Sequence, residues 1–367
     1  MKRIVSALLV ALAAFISFAP AYGQEAAPLR LALARLTQDH VSWVFNRPDK
    51  TDIEIVGAYE PNAALRERFI ERYDLDPGLF FTDLEDMLDE AAPEAVAAFG
   101  SIAEHVEVVE AAAPRGVHVM VEKPLAFAME DALRMRALAE QHDIHVITNY
   151  ETSWYPSMYA AQEAIADSAL GPVRKMVIRD GHQGPAEIGV SAEFLEWLTD
   201  PAYNGGGALI DFGCYGANLA TWLMGGEPPR TVTAVTQQIK PDIYPQVDDE
   251  ATILLTWPHA QAIIQASWNW PFNRKDMHVY GRTGYLFAPH GTELRIRREG
   301  DAGERVHRLE PRPAPLDDPF SYLAAVVRGE VQVSGTDLSS LENNVTVVRI
   351  LDAARESART GRTVVLE

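Results

Sequence analysis

From Leu29 to about Tyr150, short and almost wholly apolar runs alternate with stretches whose apolar residues recur at helical spacing. Leu29–Ala34, Ile53–Tyr59, Glu94–Phe99, Val117–Val121 and Ile144–Thr148 read as strands, with Ala63–Tyr73 and Ala103–Ala113 as helices between them. Strands apolar on both faces and separated by helices are those of a buried parallel sheet. Such sheets bind ligands beyond the carboxyl ends of their strands. After Tyr150 the pattern changes. Val173–Arg179, Thr231–Ile239, Ala251–Trp257, Ala260–Trp268, Met277–Tyr280 and Thr292–Arg297 are strand-like, some joined by turn-like Pro-His-Ala and Gly-Arg-Thr-Gly. The expected fold is an α/β domain with a parallel sheet over residues 24–150. An α+β domain with a large, mostly antiparallel open sheet follows over residues 151–367. A helical pattern over Ser339–Thr360 stops at Gly361 and is expected to pack back on the first domain.

The first 23 residues read as an export signal rather than as fold. Lys2 and Arg3 precede the apolar run Ile4–Ala19, and Ala21 and Gly23 suit a signal peptidase cutting before Gln24. The run has 16 residues, short of the ~20 that span a bilayer, and no lipidation cysteine follows it. The mature chain is therefore expected in the periplasm or outside the cell, free of the membrane. Lys2-Arg3 is not a twin arginine, so export in the unfolded state is expected.

Charge and cysteine content narrow the partners. A net charge of −20 over 367 residues argues against nucleic acid, whose binders work by phosphate neutralisation. The single cysteine, Cys214, allows no internal disulfide, and no Cys/His group has zinc-site spacing, so no metal is expected.

Two segments carry candidate chemistry. Glu122-Lys123-Pro124 follows the strand Val117–Val121, which puts Lys123 at a carboxyl end of the sheet, where an ammonium can bond a substrate hydroxyl. A surface turn lysine is the plainer reading. Gly205-Gly206-Gly207 opens an apolar helix running to Gly225-Gly226. At ~100° per residue Asp211, Tyr215 and Asn218 fall near 0°, about 40° and about 340°, on one stripe. That stripe is either a buried capping network or a grip on a polyhydroxylated ligand.

Together, the strand leading into Glu-Lys-Pro, the glycine triplet and Asp211-x-Gly213-x-Tyr215-x-x-Asn218 resemble the Gfo/Idh/MocA oxidoreductases, in their tyrosine-bearing branch. Phe81-Thr82-Asp83-Leu84, Gly171-Pro172-Val173 and Thr360-Gly361-Arg362-Thr363-Val364 extend the resemblance over essentially the whole mature chain. It implies a Rossmann domain, hydride transfer between a nicotinamide and a hydroxyl-bearing carbon of a sugar or polyol, and a homo-oligomer. Lys123, Asp211 and Tyr215 would be catalytic: Tyr215 exchanges the hydroxyl proton, Lys123 lowers the phenol's pKa, and Asp211 fixes the sugar. Asn218 and Trp154 are candidate substrate contacts. Arg35, Thr37, His40, Glu60, Ser101, His105 and Glu122 fall at cofactor positions.

The departures lie on the cofactor side. Where the family has Gly-x-Gly-x-x-Gly, this chain reads Arg35-Leu36-Thr37-Gln38-Asp39-His40, with none of the glycines that let a pyrophosphate approach the backbone. Arg35 either pairs with a phosphate or fills its place. Glu60, 25 residues after Arg35, is placed to accept ribose hydroxyls, which favours NAD over NADP. A cofactor in an exported enzyme must be tightly bound and recycled within one cycle. The alternatives are an NAD-dependent glycoside-cleaving enzyme, or a carbohydrate-binding or scaffold protein that has lost its nucleotide.

Overall fold

The computed structural model describes residues 27–48 and 51–366; the expected leader lies outside them. The first sheet contains β1 (Leu29–Ala34), β2 (Ile53–Tyr59), β3 (Phe80–Phe81), β4 (Ala95–Ala98), β5 (His118–Glu122) and β6 (Val146–Asn149). Their order is β3-β2-β1-β4-β5-β6 and every pairing is parallel. This is the doubly wound Rossmann order, whose switch point lies between β1 and β4. Alternate residues serve two cores: Ala32, Ala34, Val96 and Ala98 face one, and Leu31, Leu33, Ala95 and Ala97 the other. That explains the unbroken apolar runs. Asn62 caps the helix Ala63–Tyr73 by accepting from the backbone N–H groups of Ala64 and Leu65.

The second sheet contains β7 (Val173–Gly181), β8 (Thr231–Gln237), β9 (Glu250–Thr256), β10 (Gln261–Ser267), β11 (Arg274–Gly281), β12 (Gly284–His290), β13 (Glu293–Arg298), β14 (Arg305–Arg308) and β15 (Val364–Val365). Its order is β14-β13-β12-β11-β7-β10-β9-β8-β15, antiparallel except between β7 and β10. One face is buried under helices through Met176, Ile178, Ile253, Ile264, Met277 and Val279.

The domains are not divided by a single cut at residue 150. The helix Pro319–Val327 puts Phe320, Leu323 and Ala324 into a core of the first sheet. The helix Leu341–Thr360 serves both domains, Val345 and Val348 packing with the first and Val347, Ile350, Leu351 and Ala354 with the second. Both helices carry apolar residues on more than one face and must bury them on two surfaces.

Candidate active site

Between the sheets lies a cavity of about 260 Å³ whose lining includes His40, Lys123, Glu151, His182, Asp211, Phe212, Tyr215 and Lys275. Lys123 stands just past β5, on a cis peptide to Pro124. Its Nζ donates to the Asp211 carbonyl oxygen (3.0 Å) and to the Asp211 carboxylate. The second carboxylate oxygen accepts from Trp268 Nε1 (2.9 Å). A second ammonium, Lys275 on β11, is paired with Glu151 (2.6 Å), which also accepts from the Tyr155 hydroxyl. Lys123 and Lys275 lie 5.3 and 5.2 Å from the Tyr215 ring centre, and 5.6 and 5.8 Å from that of Phe212. The cavity thus offers two paired cations over an aromatic floor.

Burial and pairing set the proton states. Burial pulls Lys123 down, but the Asp211 carboxylate beside it prevails and the ammonium is held above its ordinary value. Burial pushes Asp211 up, and Lys123 and His182 more than offset it, so the carboxylate stays below its usual range. Burial raises the Tyr215 phenol well above its ordinary value. The lowering expected from Lys123 is outweighed by burial and by the carboxylate of Glu151. Burial lowers His182 to about 4. Asp180, whose Oδ1 has no hydrogen-bond partner, is driven well above the usual carboxylate range.

The single helical stripe is broken. The chain forms Ala208–Asp211 and then Gly213–Leu223, interrupted at Phe212. Asp248 governs the start, accepting from Gly207 (3.0 Å) and Leu209 (2.7 Å) through its carboxylate and from Ala208 (2.9 Å) through its carbonyl. A Cβ on Gly207 would lie 1.8 Å from that carbonyl oxygen, so the glycine serves Asp248 and not a ligand. Asp211 and Tyr215 reach the cavity, but Asn218 does not. Its amide donates to Leu338 O (2.8 Å), tying down the entry to the last long helix. Trp154 is not a cavity aromatic either: it packs edge-on against Tyr322 and donates to Asn149 Oδ1 (2.9 Å).

A separate crevice of about 280 Å³ opens at the switch point and is lined by Arg35, Thr37, Glu60 and Ser101 among others. There a dinucleotide's phosphates would lie, and the residues do not fit them. The guanidinium of Arg35 is paired with Glu104 and sits 5.0 Å over the Tyr59 ring. Its backbone takes a left-handed φ of 67°, the conformation glycine adopts freely. The loop's donors are spent internally: Leu36 N on Glu60 (3.0 Å), and Thr37 N (3.1 Å) and Gln38 N (2.9 Å) on Phe99 O. Ser101 is closed on Glu104 through both its N–H (2.8 Å) and its hydroxyl (2.9 Å). Both oxygens of Glu60 accept backbone N–H groups, from Leu36 and Asn62, and the residue is 1 % exposed. Glu193, Glu196 and Asp200 add carboxylates to the same wall. A phosphate ~6 Å from one carboxylate is opposed by about 3 kcal/mol at an effective dielectric of ~20.

Crevice and cavity are also separated by the helix Ala192–Leu198, whose Phe194 and Leu198 line the cavity and whose Glu193, Glu196 and Trp197 line the crevice. Ser191 N ties this helix to the Asp39 carboxylate (3.0 Å), and Glu193 ties it to Arg68 (2.8 Å). Of the remaining cofactor positions, His105 is buried and donates Nδ1–H to Leu125 O (3.2 Å), while His40 and Glu122 bond each other on the cavity side. Among the described residues no cluster suits a metal ion, and no helix is long and apolar enough to cross a membrane.

Sequence reasoning missed Lys275, Glu151 and Asp180, and took His182 for a loop residue. Asp180 and Lys275 are register partners at the ends of β7 and β11. Both strands carry several charged residues, so neither Asp180 nor Lys275 stood out in the sequence, and strand pairing is what brings the two together.

Comparison with known proteins places this geometry. Residues 33–150 match the description "Oxidoreductase family, NAD-binding Rossmann fold", and residues 158–287 match "GFO/IDH/MocA C-terminal domain". The trans-1,2-dihydrobenzene-1,2-diol dehydrogenase of Bos taurus is 29% identical over 143 residues, 39% of this chain and 39% of that protein. The D-xylose 1-dehydrogenase (NADP(+)) 2 of Haloferax volcanii is 25% identical over 278 residues, 72% of this chain and 77% of that protein. In structure, an inositol dehydrogenase homolog from Azotobacter vinelandii complexed with NAD+ superposes with a TM-score of 0.79 at 20% identity, covering 93% of this chain and 98% of that one. With both halves matched in order and the fold reproduced, the chain belongs to the Gfo/Idh/MocA family of NAD(P)-dependent oxidoreductases.

Proposed function

We propose that this chain acts on a sugar or polyol held in the cavity between its sheets, at a carbon bearing a hydroxyl or carbonyl oxygen, after export from the cytoplasm. The observation that carries this reading is the Lys123–Asp211–Trp268 unit. Two of the three ammonium protons go to Asp211, leaving the third for a substrate oxygen. Trp268 holds the carboxylate in place, so the ammonium is aimed before substrate arrives. Lys275 supplies a second anchored donor, and Phe212 and Tyr215 supply the apolar face that a sugar ring requires. The apolar segment Ile4–Ala19 supports export.

The relatives' names speak of dehydrogenation of diols and pentoses. A bound nicotinamide would supply hydride transfer. The crevice does not accommodate its dinucleotide, and no step is routed through one. The match of residues 33–150 to an NAD-binding Rossmann family favours the second reading, an NAD-linked dehydrogenase.

One preparation tests both. Protein from its native compartment is denatured and the supernatant analysed by mass for nicotinamide nucleotide. The native protein is then titrated calorimetrically with D-xylose, myo-inositol and D-glucuronate. Saturable binding that Lys123→Met weakens tenfold or more supports the sugar reading, and heat-silent titrations with all three overturn it. Stoichiometric nucleotide in the supernatant establishes the second reading.

A further inference from the structure

Most groups around the cavity are unable to accept a proton from substrate. Lys123 is held charged and Tyr215 neutral. His182 is turned the wrong way: its Nδ1 accepts the Gly184 N–H (3.0 Å), so a neutral ring carries its hydrogen on Nε2 and donates there. Asp211 and Glu151 are committed to Lys123 and Lys275, and Asp39 spends one carboxylate oxygen on the Ser191 N–H.

His40 is different. It stands where the third glycine of a dinucleotide loop would be, and its Nδ1 lies 3.0 Å from Glu122 Oε2. The direction of that bond follows from the residues behind it. The Trp154 indole only donates, so Asn149 turns its oxygen to it (2.9 Å). Asn149 then points its NH₂ at Glu122 Oε1 (2.7 Å), leaving Oε2 to accept from His40. A neutral imidazole with its hydrogen on Nδ1 has its lone pair on Nε2. The Trp43 ring stacks on it at 3.9 Å, and the side chain keeps 22% exposure toward the cavity while that of Glu122 keeps 3%. A carboxylate fixing the tautomer of an imidazole is the arrangement of a general base. Three residues expected at cofactor or sugar contacts thus form one relay.

We propose that His40, oriented by Glu122, Asn149 and Trp154, is the general base of the cavity, and that the loop carrying it has exchanged dinucleotide binding for proton transfer. The substrate class is a sugar with a carbonyl next to the reacting carbon, and the inference rests on the sugar reading of the cavity. His40 Nε2 takes the proton from that carbon, and the C–H electron pair becomes the C=C bond of an enediolate. The carbonyl oxygen takes the negative charge and sits on the Lys123 ammonium. Return of the proton to the same carbon after the intermediate turns over gives an epimer; return to the former carbonyl carbon, with the hydroxyl proton passing from one enediolate oxygen to the other, gives an isomer. Substrate and product are at the same oxidation level and no co-reactant is consumed. Glu122, Asn149 and Trp154 are positioning residues.

The test uses dihydroxyacetone and D-fructose in D₂O, with loss of the carbon-bound proton followed by ¹H NMR. Wild type is expected to exchange about a hundredfold faster than His40→Gln or His40→Asn, both checked for an unchanged melting temperature. Glu122→Gln is expected to lose at least tenfold, with one readout that a packing role would not move: long-range ¹H–¹⁵N correlation shows His40 leaving the Nδ1–H tautomer. Saturation-transfer NMR on the His40→Gln protein reports whether the probe still binds. Binding without a rate difference between wild type and the His40 variants overturns the base and leaves the sugar reading standing. Failure of both probes to bind overturns the base, and the sugar reading then stands or falls with the three calorimetric titrations. Millimolar NAD or NADP that binds stoichiometrically overturns the loss of the dinucleotide.

Discussion

The cavity and the crevice lie on two sides of one seven-residue helix, Ala192–Leu198, and are built on different principles. In the cavity every charge has a partner and leaves something over: Lys123 keeps a proton, Lys275 is anchored by one bond to Glu151, and His40 keeps a lone pair. In the crevice the polar groups are used up on one another, loop N–H groups on Glu60 and Phe99, and Arg35 and Ser101 on Glu104. A binding site is a set of groups with unspent capacity, and by that measure one of these hollows is a site and the other a seam.

The largest effect that sharpens this contrast is at Asp211. Asp211→Ala leaves the Lys123 ammonium buried without its counter-charge and is expected to cost about 3–5 kcal/mol in a urea melt. A loss under 1 kcal/mol would mean that the pair is not desolvated. Next comes Gly207→Ala, whose Cβ meets the Asp248 carbonyl at 1.8 Å. It is expected to destabilise by more than about 2 kcal/mol and to disturb the sugar-binding heat, because Gly207 sets the start of the segment that carries Asp211.

A third comparison uses pH. Burial lowers His182 to about 4 and also lowers His105 and His118. Below the unfolded value of ~6.5 the unfolded chain takes up protons that these native rings refuse. The histidine contribution to stability is therefore expected to be full above that value and to fall as pH drops from about 6.5 toward about 4, while the raised carboxyl of Asp180 works in the opposite sense. His182→Gln is expected to flatten part of the slope, and an unchanged slope would remove His182 from the account.

The smallest effect is on the crevice side. Arg35→Gly relieves a left-handed φ worth about 1 kcal/mol and loses a partly buried ion pair worth up to about 1 kcal/mol, so stability is expected to move by less than about 1 kcal/mol. Chemical denaturation of that variant, set beside Gly207→Ala, compares the two sides directly.

Much of the first domain was legible because its strands are apolar on both faces: Leu29–Ala34 and Ile53–Tyr59 begin and end where the pattern places them. In the second sheet the signal is weaker. Gly284–His290 contains Pro289, Arg305–Arg308 is exposed throughout, and Val364–Val365 is two residues long, so none announced itself. For the site, the place of Lys123 after a strand and the spacing of Asp211 and Tyr215 left a surface lysine and a capping network open, and only the family resemblance drew the three together. Asn218 was misplaced because a uniform helical period does not foresee the interruption at Phe212 between Ala208–Asp211 and Gly213–Leu223. His40 was visible only as a glycine that was missing. Its partner Glu122 lies 82 positions away, and only the parallel pairing of β1, β4 and β5 brings them together.

The helix Leu341–Thr360 lends side chains to both hydrophobic interiors, and Pro319–Val327 completes one of them. Neither half can close its interior until the final stretch of polypeptide has arrived. During synthesis the N-terminal portion therefore keeps an open interior after its own strands exist, and is exposed to aggregation for the same interval.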